Sequence, residues 1–279
     1  MSYASIALFL HDPMTHEGVL DFAIEAARGW GAHLHVVCAG VDMTDPGFYY
    51  AGAQAVAVQE NLEVAEDAAR QLDAQVRGRL EREEIPWDLE TVTVMHNGLS
   101  PFLGDHMRFF DLAILPAPYG AGRSAVDVAA FESCLFAADL PVLVVPEGVE
   151  WSGSPRRMMI AWDDGAEALA AARAAAPLAS AAERTEVVVI DPPLQGRERS
   201  DPGGRLAQKL ARAGAKVEVT VAARTCPDIA DQLQRQARET AADLIVMGAY
   251  GHSRLREAVI GGVTRSMLRS AALPILMAR

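Results

Sequence analysis

A chain of 279 residues is longer than one typical hydrophobic core serves and suits two domains. Its composition is globular, 51% hydrophobic and 22% charged, and a net charge of −12 argues against duplex nucleic acid or an anionic membrane as main partner. No run of about eighteen apolar residues occurs, and Cys38, Cys134 and Cys226 lack the paired spacing of a zinc site or disulfide framework, so a cytoplasmic, reducing setting is expected.

The chain opens with "SIALFL" (5–10), too short and too unflanked by basic residues for a signal-peptide core, and it reads as a strand. A helical stretch, "HEGVLDFAIEAARGWG", and a second strand, "HLHVVCAGVD", follow. His33 and His35 share one face of that strand by their spacing of two, with no carboxylate in evident reach. A long helical segment starts near Gln54 and closes in the charged "LEREE" (80–84), a solvated face. From Asp111 the chain reads Asp-Leu, an apolar strand, a Gly-containing loop, a helical stretch, and Leu-Pro before "VLVV".

"PEGVEWSGSPRR" has proline, glycine and serine without apolar period, which is a linker signature. Beyond it the chain is written again. "RMMIAWD", "TEVVVID" and the segment from Asp243 repeat the earlier order, with the Asp-Leu pairs 132 residues apart and Pro141 and Pro274 133 apart. The boundary falls near residue 150, giving domains 1–150 and 151–279. In the second, strands are expected near 157–162, 185–190, 216–222, 243–247 and 274–278, with helices near 166–181, 203–213, 227–240 and 261–271. Cys226-Pro227-Asp228 reads as a helix start with proline at the first position. Alternating strands and helices, the strands continuously apolar, give a fold class of α/β: two tandem doubly wound, Rossmann-like domains with five-stranded, mainly parallel sheets. Each copy ends in a short apolar strand, 141–145 or 274–278, whose bare edge needs covering.

Such sheets bind ligands outside the carboxyl ends of their strands. There "DLIVMGAYGHSRLREAVIGGVTRS" places Gly248 and Gly251 after a strand, then Gly261 and Gly262 at the opening of a helix, followed by Val263 and Thr264. Bare N–H groups at a helix N-terminus donate to phosphate oxygens, aided by the helix dipole. A loop glycine pair with an ordinary helix start accounts for the same spacing. Lys209 and Lys216, the only lysines, lie away from this segment, and neither a P-loop nor a first-strand G-x-G-x-x-G occurs.

Gly248 and Gly251, nine residues, then Gly261-Gly262-Val263-Thr264 resembles the ATP-binding signature of universal stress proteins, and the tandem arrangement resembles that family's two-domain form. The resemblance implies that Asp163, ending "IAWD", holds the adenosine, and that Val189 in "VVVID" lines the adenine pocket. Helix capping and plain sheet core are the competing roles of these two residues. His252 and Arg254 follow Gly251, as phosphate ligands or as exposed loop. Trp162 walls the pocket or belongs to the core. Gly262 departs from the family's Ser or Thr, losing a hydroxyl while keeping an N–H.

The implied function is a stress-response, adenine-nucleotide-binding regulatory module that holds ATP, with Mg²⁺ on the phosphates, and acts through an unidentified protein partner. An interaction scaffold without nucleotide, or a slow ATPase or adenylating enzyme, are the alternatives. Lacking a lysine clamp or carboxylate cluster, the chain is expected not to be an enzyme, and no catalytic residue or metal ligand is assigned. Neither nucleic acid nor membrane is an expected partner. In the family, single domains dimerise through the last strand, so the two copies are expected to pair as an intrachain pseudo-dimer, with homodimerisation open. Aligning from the Asp-Leu pairs puts Pro116 opposite Gly248 and Tyr119 opposite Gly251. Counting back from the prolines puts Val128, Ala129 and Phe131 opposite Gly261, Gly262 and Thr264, so only the second copy is expected to bind nucleotide.

Overall fold

The computed structural model describes residues 3–44, 54–192, 200–250 and 262–279. In the first half β1 (Ser5–Leu10), α1 (Glu17–Trp30), β2 (His33–Asp42), α2 (Gln54–Leu80) and β3 (Trp87–Met95) are followed by α3 (Leu99–Met107), β4 (Leu112–Pro116), α4 (Ala125–Glu132) and β5 (Val142–Val145). The second half runs β6 (Arg157–Ala161), α5 (Ala166–Ala174), α6 (Ala176–Ala181), β7 (Arg184–Ile190), α7 (Gly204–Arg212) and β8 (Val217–Ala222). It ends with α8 (Ile229–Glu239), β9 (Leu244–Gly248), α9 (Val263–Ser270) and β10 (Ile275–Ala278). Among the described residues no helix is long and apolar enough to cross a membrane.

The two sets of strands form one ten-stranded sheet in the order β3-β2-β1-β4-β5-β10-β9-β6-β7-β8. Each half is doubly wound, with the winding reversing between β1 and β4 and again between β6 and β9. Pairing is parallel throughout except at the seam, where β5 and β10 run antiparallel with Leu143 opposite Leu276. The expected pairing of the two short strands is present, and it merges the halves into a single sheet. All four residues of β5 and of β10 are buried. The outer strands β3 and β8 instead alternate with exposed residues, as an edge requires.

Packing follows the faces of the sheet and not the halves. Ile6, Leu8, Met158, Ile160 and Leu276 lie in one cluster with residues of α1, α2, α5, α6 and α7. Ala7, Phe9, Met159 and Met277 lie in the other with residues of α3, α4, α8 and α9. Each cluster runs through both halves, so burial on either face depends on the seam. The linker is packed too: Trp151 stacks on Phe22 at 4.7 Å between ring centroids. Gly29 approaches Gly153 so closely that a β-carbon there would lie 2.4 Å from the Gly153 carbonyl oxygen.

The repeated Asp-Leu pair has a structural cause. Asp111 accepts hydrogen bonds from the Ala4 and Ser5 amides at 2.7 and 3.0 Å. Asp243 does the same for Arg156 and Arg157 at 2.8 and 3.0 Å. Each aspartate ties the start of its half's central strand to the strand beside it.

Several local expectations are corrected. Asp228 caps α8 by accepting the Ala230 amide at 2.8 Å, so Pro227 precedes the cap instead of opening the helix. The stretch expected as one helix over 166–181 breaks into α5 and α6 beside Pro177. The larger correction concerns α4. It starts at Ala125 and passes into a π-turn over Ser133–Ala137, whereas α9 has eight residues. The residue opposite Gly262 is therefore the cap Ser124, and Val128, Ala129 and Phe131 lie inside the helix. Counting back from the prolines misses this because the π-turn lengthens one helix while the preceding loop shortens.

Candidate functional site

Because the winding reverses between β6 and β9, the helices that follow them leave on opposite faces and open a crevice above the strand ends. It is a cavity of about 380 Å³, lined by Trp162, Asp163, Val188, Ile190, Ile229, Leu233, Met247, Gly248, Gly262, Val263 and Thr264 among others. One wall is apolar, built from β7 and from Ile229 and Leu233, which their spacing of four places on one face of α8. The opposite wall is the start of α9.

That start is bare. Gly262 is the N-cap in extended conformation (φ −65°, ψ 168°), no side chain caps the helix, and no acidic residue occupies its first turn. The Gly262 carbonyl already accepts the Arg265 and Ser266 amides, leaving those of Gly262, Val263 and Thr264 without an intrahelical acceptor. Thr264 is buried, and its hydroxyl accepts the Tyr250 amide at 3.2 Å. That bond fixes the end of β9 to the helix start. Tyr250 is held at φ 57° and its ring packs 5.2 Å from Phe136 of the first half. In return Arg265 and Arg269 of α9 lie over Tyr119 of the first half.

Of the residues singled out from the sequence, Asp163, Gly248, Gly262, Val263 and Thr264 come together here, with Trp162 beside them. Asp163 is exposed, and its Oδ1 accepts the Gly165 amide at 2.9 Å, which turns the chain into α5. Val189 does not join them. It is buried in the cluster on the other face of the sheet, and the neighbours Val188 and Ile190 line the cavity. A shift of one residue along a strand exchanges the two faces. Gly248 has a packing reason of its own: a β-carbon there would meet the Ala168 nitrogen at 2.5 Å. Gly251, His252, Arg254 and Gly261 lie outside the described residues. Lys209 on α7 and Lys216 before β8 are not in the cavity lining.

Elsewhere His33 and His35 have a partner that sequence spacing did not show. Asp88, from the neighbouring strand β3, accepts from His33 Nε2 at 2.6 Å and His35 Nδ1 at 2.7 Å. Burial would raise the Asp88 carboxyl, but the two histidine hydrogen bonds outweigh it and hold it below its usual range. No group of three metal-ligating side chains converges among the described residues.

Residues 155–279 match the model of the Universal stress protein family. A universal stress protein of Synechocystis is 28% identical over 203 residues, an alignment that takes in 68% of this chain and 66% of that protein, just under two thirds of its length. Among solved structures, a universal stress protein from Archaeoglobus fulgidus superposes with a TM-score of 0.70 at 12% identity, covering 98% of this chain and 96% of its own. A protein of unknown function from Pseudomonas aeruginosa superposes with a TM-score of 0.59 at 16% identity, covering 99% and 92%. At these identities the superpositions establish the Rossmann-like, doubly wound fold.

Proposed function

We propose that this chain, whose residues 155–279 match the model of the Universal stress protein family, binds one molecule of ATP in the crevice between β6 and β9 and acts as a regulatory binding module. The observation that carries this reading is the uncapped start of α9 facing an apolar cavity of nucleotide size. Adenine fits against Val188, Ile190 and Leu233. Asp163, exposed at the mouth, is placed to accept from a ribose hydroxyl. The amides of Gly262, Val263 and Thr264, which have no intrahelical acceptor, are placed for phosphate oxygens, where the helix dipole favours negative charge. Mg²⁺ would travel on the phosphates, since the lining offers one carboxylate among the described residues, Asp163. With no lysine and no carboxylate cluster at the cavity among the described residues, the proposed site binds and does not turn over. The stress role and the partner that reads the bound state belong to the same proposal.

Calorimetry should find one ATP per chain, and the same preparation should release phosphate at well under about 1 s⁻¹, below the usual enzyme range. Gly262→Asp should weaken binding by at least about 100-fold, because a like charge beside the phosphates costs several kcal/mol. Aspartate is a favoured cap, so the variant should stay folded. Two equal sites per chain, or full affinity in Gly262→Asp, would place the site elsewhere.

A further inference from the structure

β4 and β9 end alike and then diverge. The Ala117 amide donates to the Val145 carbonyl and the Ala249 amide to the Ala278 carbonyl, each at 2.9 Å. In the first half Pro118 follows, which has no amide to give, and the start of α4 is closed. Ser124 and Asp127 form a capping box, with the Ser124 amide and hydroxyl donating to Asp127 Oδ2 at 2.7 and 3.0 Å. His11 Nε2 and Arg123 Nη1 reach Asp127 Oδ1 at 3.1 and 3.7 Å. Ile6 pairs with Leu112 as Met158 pairs with Leu244, so His11 stands where the second half has Asp163. In the second half Tyr250 follows Ala249, and its amide is the one that the Thr264 hydroxyl accepts. The tie between strand end and helix start thus belongs to the half whose helix start is open.

Two unusual pieces of backbone meet at that tie. Tyr250 sits in the left-handed region at φ 57°, which a tyrosine adopts when its surroundings enforce it. Facing it across the seam is the π-turn Ser133–Ala137 of the first half, a form that recurs at functional sites, and it carries Phe136. The Phe136 and Tyr250 rings lie 5.2 Å apart at 49°, and the Arg279 guanidinium covers the Phe136 ring at 5.0 Å. A second contact grips the helix itself. Tyr119, from the loop after β4, lies under both Arg265 and Arg269 of α9, each 5.4 Å from the ring centroid. Phe136 and Tyr119 are half-buried, at the rim of the core.

We propose that Phe136 and Tyr119 are positioning residues for the phosphate wall of the second half, an inference that rests on the ATP reading of that site. Phe136 holds Tyr250 in its left-handed turn, and the Tyr250 amide holds the Thr264 hydroxyl. Tyr119 holds α9 through its two arginines. Between them they fix how the amides of Gly262, Val263 and Thr264 face the cavity. The nucleotide site is completed from across the seam, and the first half acts on a ligand bound in the second.

The test combines calorimetry of the full chain with amide exchange followed by NMR in the absence of nucleotide. Phe136→Ala should weaken ATP about fivefold, the scale of one aromatic pair. Adenosine, which has no phosphates, should bind the variant as it binds wild type. Tyr119→Ala should weaken ATP in the same direction by a route that leaves Tyr250 in place. In Phe136→Ala the Tyr250 amide should exchange faster while the amides of β10 keep their rates. Phe136→Tyr and Tyr119→Phe retain the rings and should restore wild-type behaviour. Full ATP affinity in either alanine variant would overturn that residue's role and leave the ATP site standing. An unchanged Tyr250 amide in Phe136→Ala would overturn the route through Tyr250. Equal losses for ATP and adenosine, or β10 amides that speed up with Tyr250, would mean that the rings merely pack the seam. A wild-type chain that binds no ATP would remove the site itself, and the proposal with it.

Discussion

The helices that follow β4 and β9 leave the sheet at equivalent points, but they begin in opposite electrostatic states. In the first half Ser124 and Asp127 satisfy the opening amides of α4, and the carboxylate sits where the helix dipole is positive. In the second half Gly262 leaves the same amides of α9 without a side-chain cap. The strand-end residue changes with them, from His11 to Asp163. One duplicated frame thus carries a closed, internally neutralised helix start and an open one. The difference shows that inheriting a fold does not mean inheriting a site: a few side chains around one helix start decide which ligands are admitted. It also explains how the chain tolerates an open site. The first half completes the sheet at the seam.

That division of labour breaks first if the seam is not shared. Leu276 and Leu143 are paired across it and fully buried in the cluster that crosses both halves. Leu276→Ala should cost about 2–5 kcal/mol, the range for a buried leucine that leaves a cavity. Urea unfolding followed by fluorescence and by far-ultraviolet circular dichroism should remain one coincident transition, shifted to lower denaturant. Two separate transitions, only one of them shifted, would mean that the halves are stable independently and that the continuous sheet adds little.

A smaller effect is expected at the closed helix start. Asp127→Ala removes the reciprocal half of the capping box and the partner of His11, and should destabilise by about 1–2 kcal/mol. Burial would raise the Asp127 carboxyl, but hydrogen bonds from His11 and Ser124 hold it below its usual range. Because the folded value is the lower one, the carboxylate's contribution is complete above the ordinary aspartate value of about 3.9 and fades as pH falls through the folded value. The stability gap between wild type and Asp127→Ala should therefore be widest near neutrality and shrink below about pH 4. A gap that stays constant to pH 3 would mean that the ionised carboxylate is not what stabilises this helix.

The sequence displayed the frame more clearly than the site. The Asp-Leu pairs, the two Leu-Pro strands and the continuous apolar runs are local signals, and each corresponds to an observed element. Val189 was misplaced because "VVVI" has no polar alternation: when both faces of a strand are buried, nothing in the residues says which side chain points which way. The start of α4 was misplaced because a π-turn adds residues to a helix without disturbing its apolar period. Asp88 between His33 and His35 depends on which strand pairs with β2, which is tertiary information. By contrast Gly262, Val263, Thr264 and Asp163 were legible, since they sit next to strand and helix ends that the pattern marks.

The finest adjustment of the comparison concerns Gly262 itself. Gly262 stands where the signature it resembles has serine or threonine, and the N-cap geometry here, φ −65° and ψ 168°, is open to any residue. Gly262→Ser would add one hydroxyl at the cavity wall without straining the backbone. That hydroxyl has two possible uses. If phosphates occupy the helix start, it donates to a phosphate oxygen, and ATP affinity should rise about fivefold, the equivalent of one typical hydrogen bond of about 1 kcal/mol. If the site stays free of anions, the serine oxygen accepts an amide of its own helix, as Ser124 accepts the Val126 amide at 3.1 Å in the first half. The helix then gains a few tenths of a kcal/mol and loses a phosphate donor, since replacing a serine cap by glycine costs only that much. Measuring ATP affinity and unfolding free energy on the same variant separates the two. Tighter ATP is the expected result, with a gain of at most a few tenths of a kcal/mol in the nucleotide-free protein. Higher stability with weaker ATP would mean that the second half is one substitution from the closed state of the first.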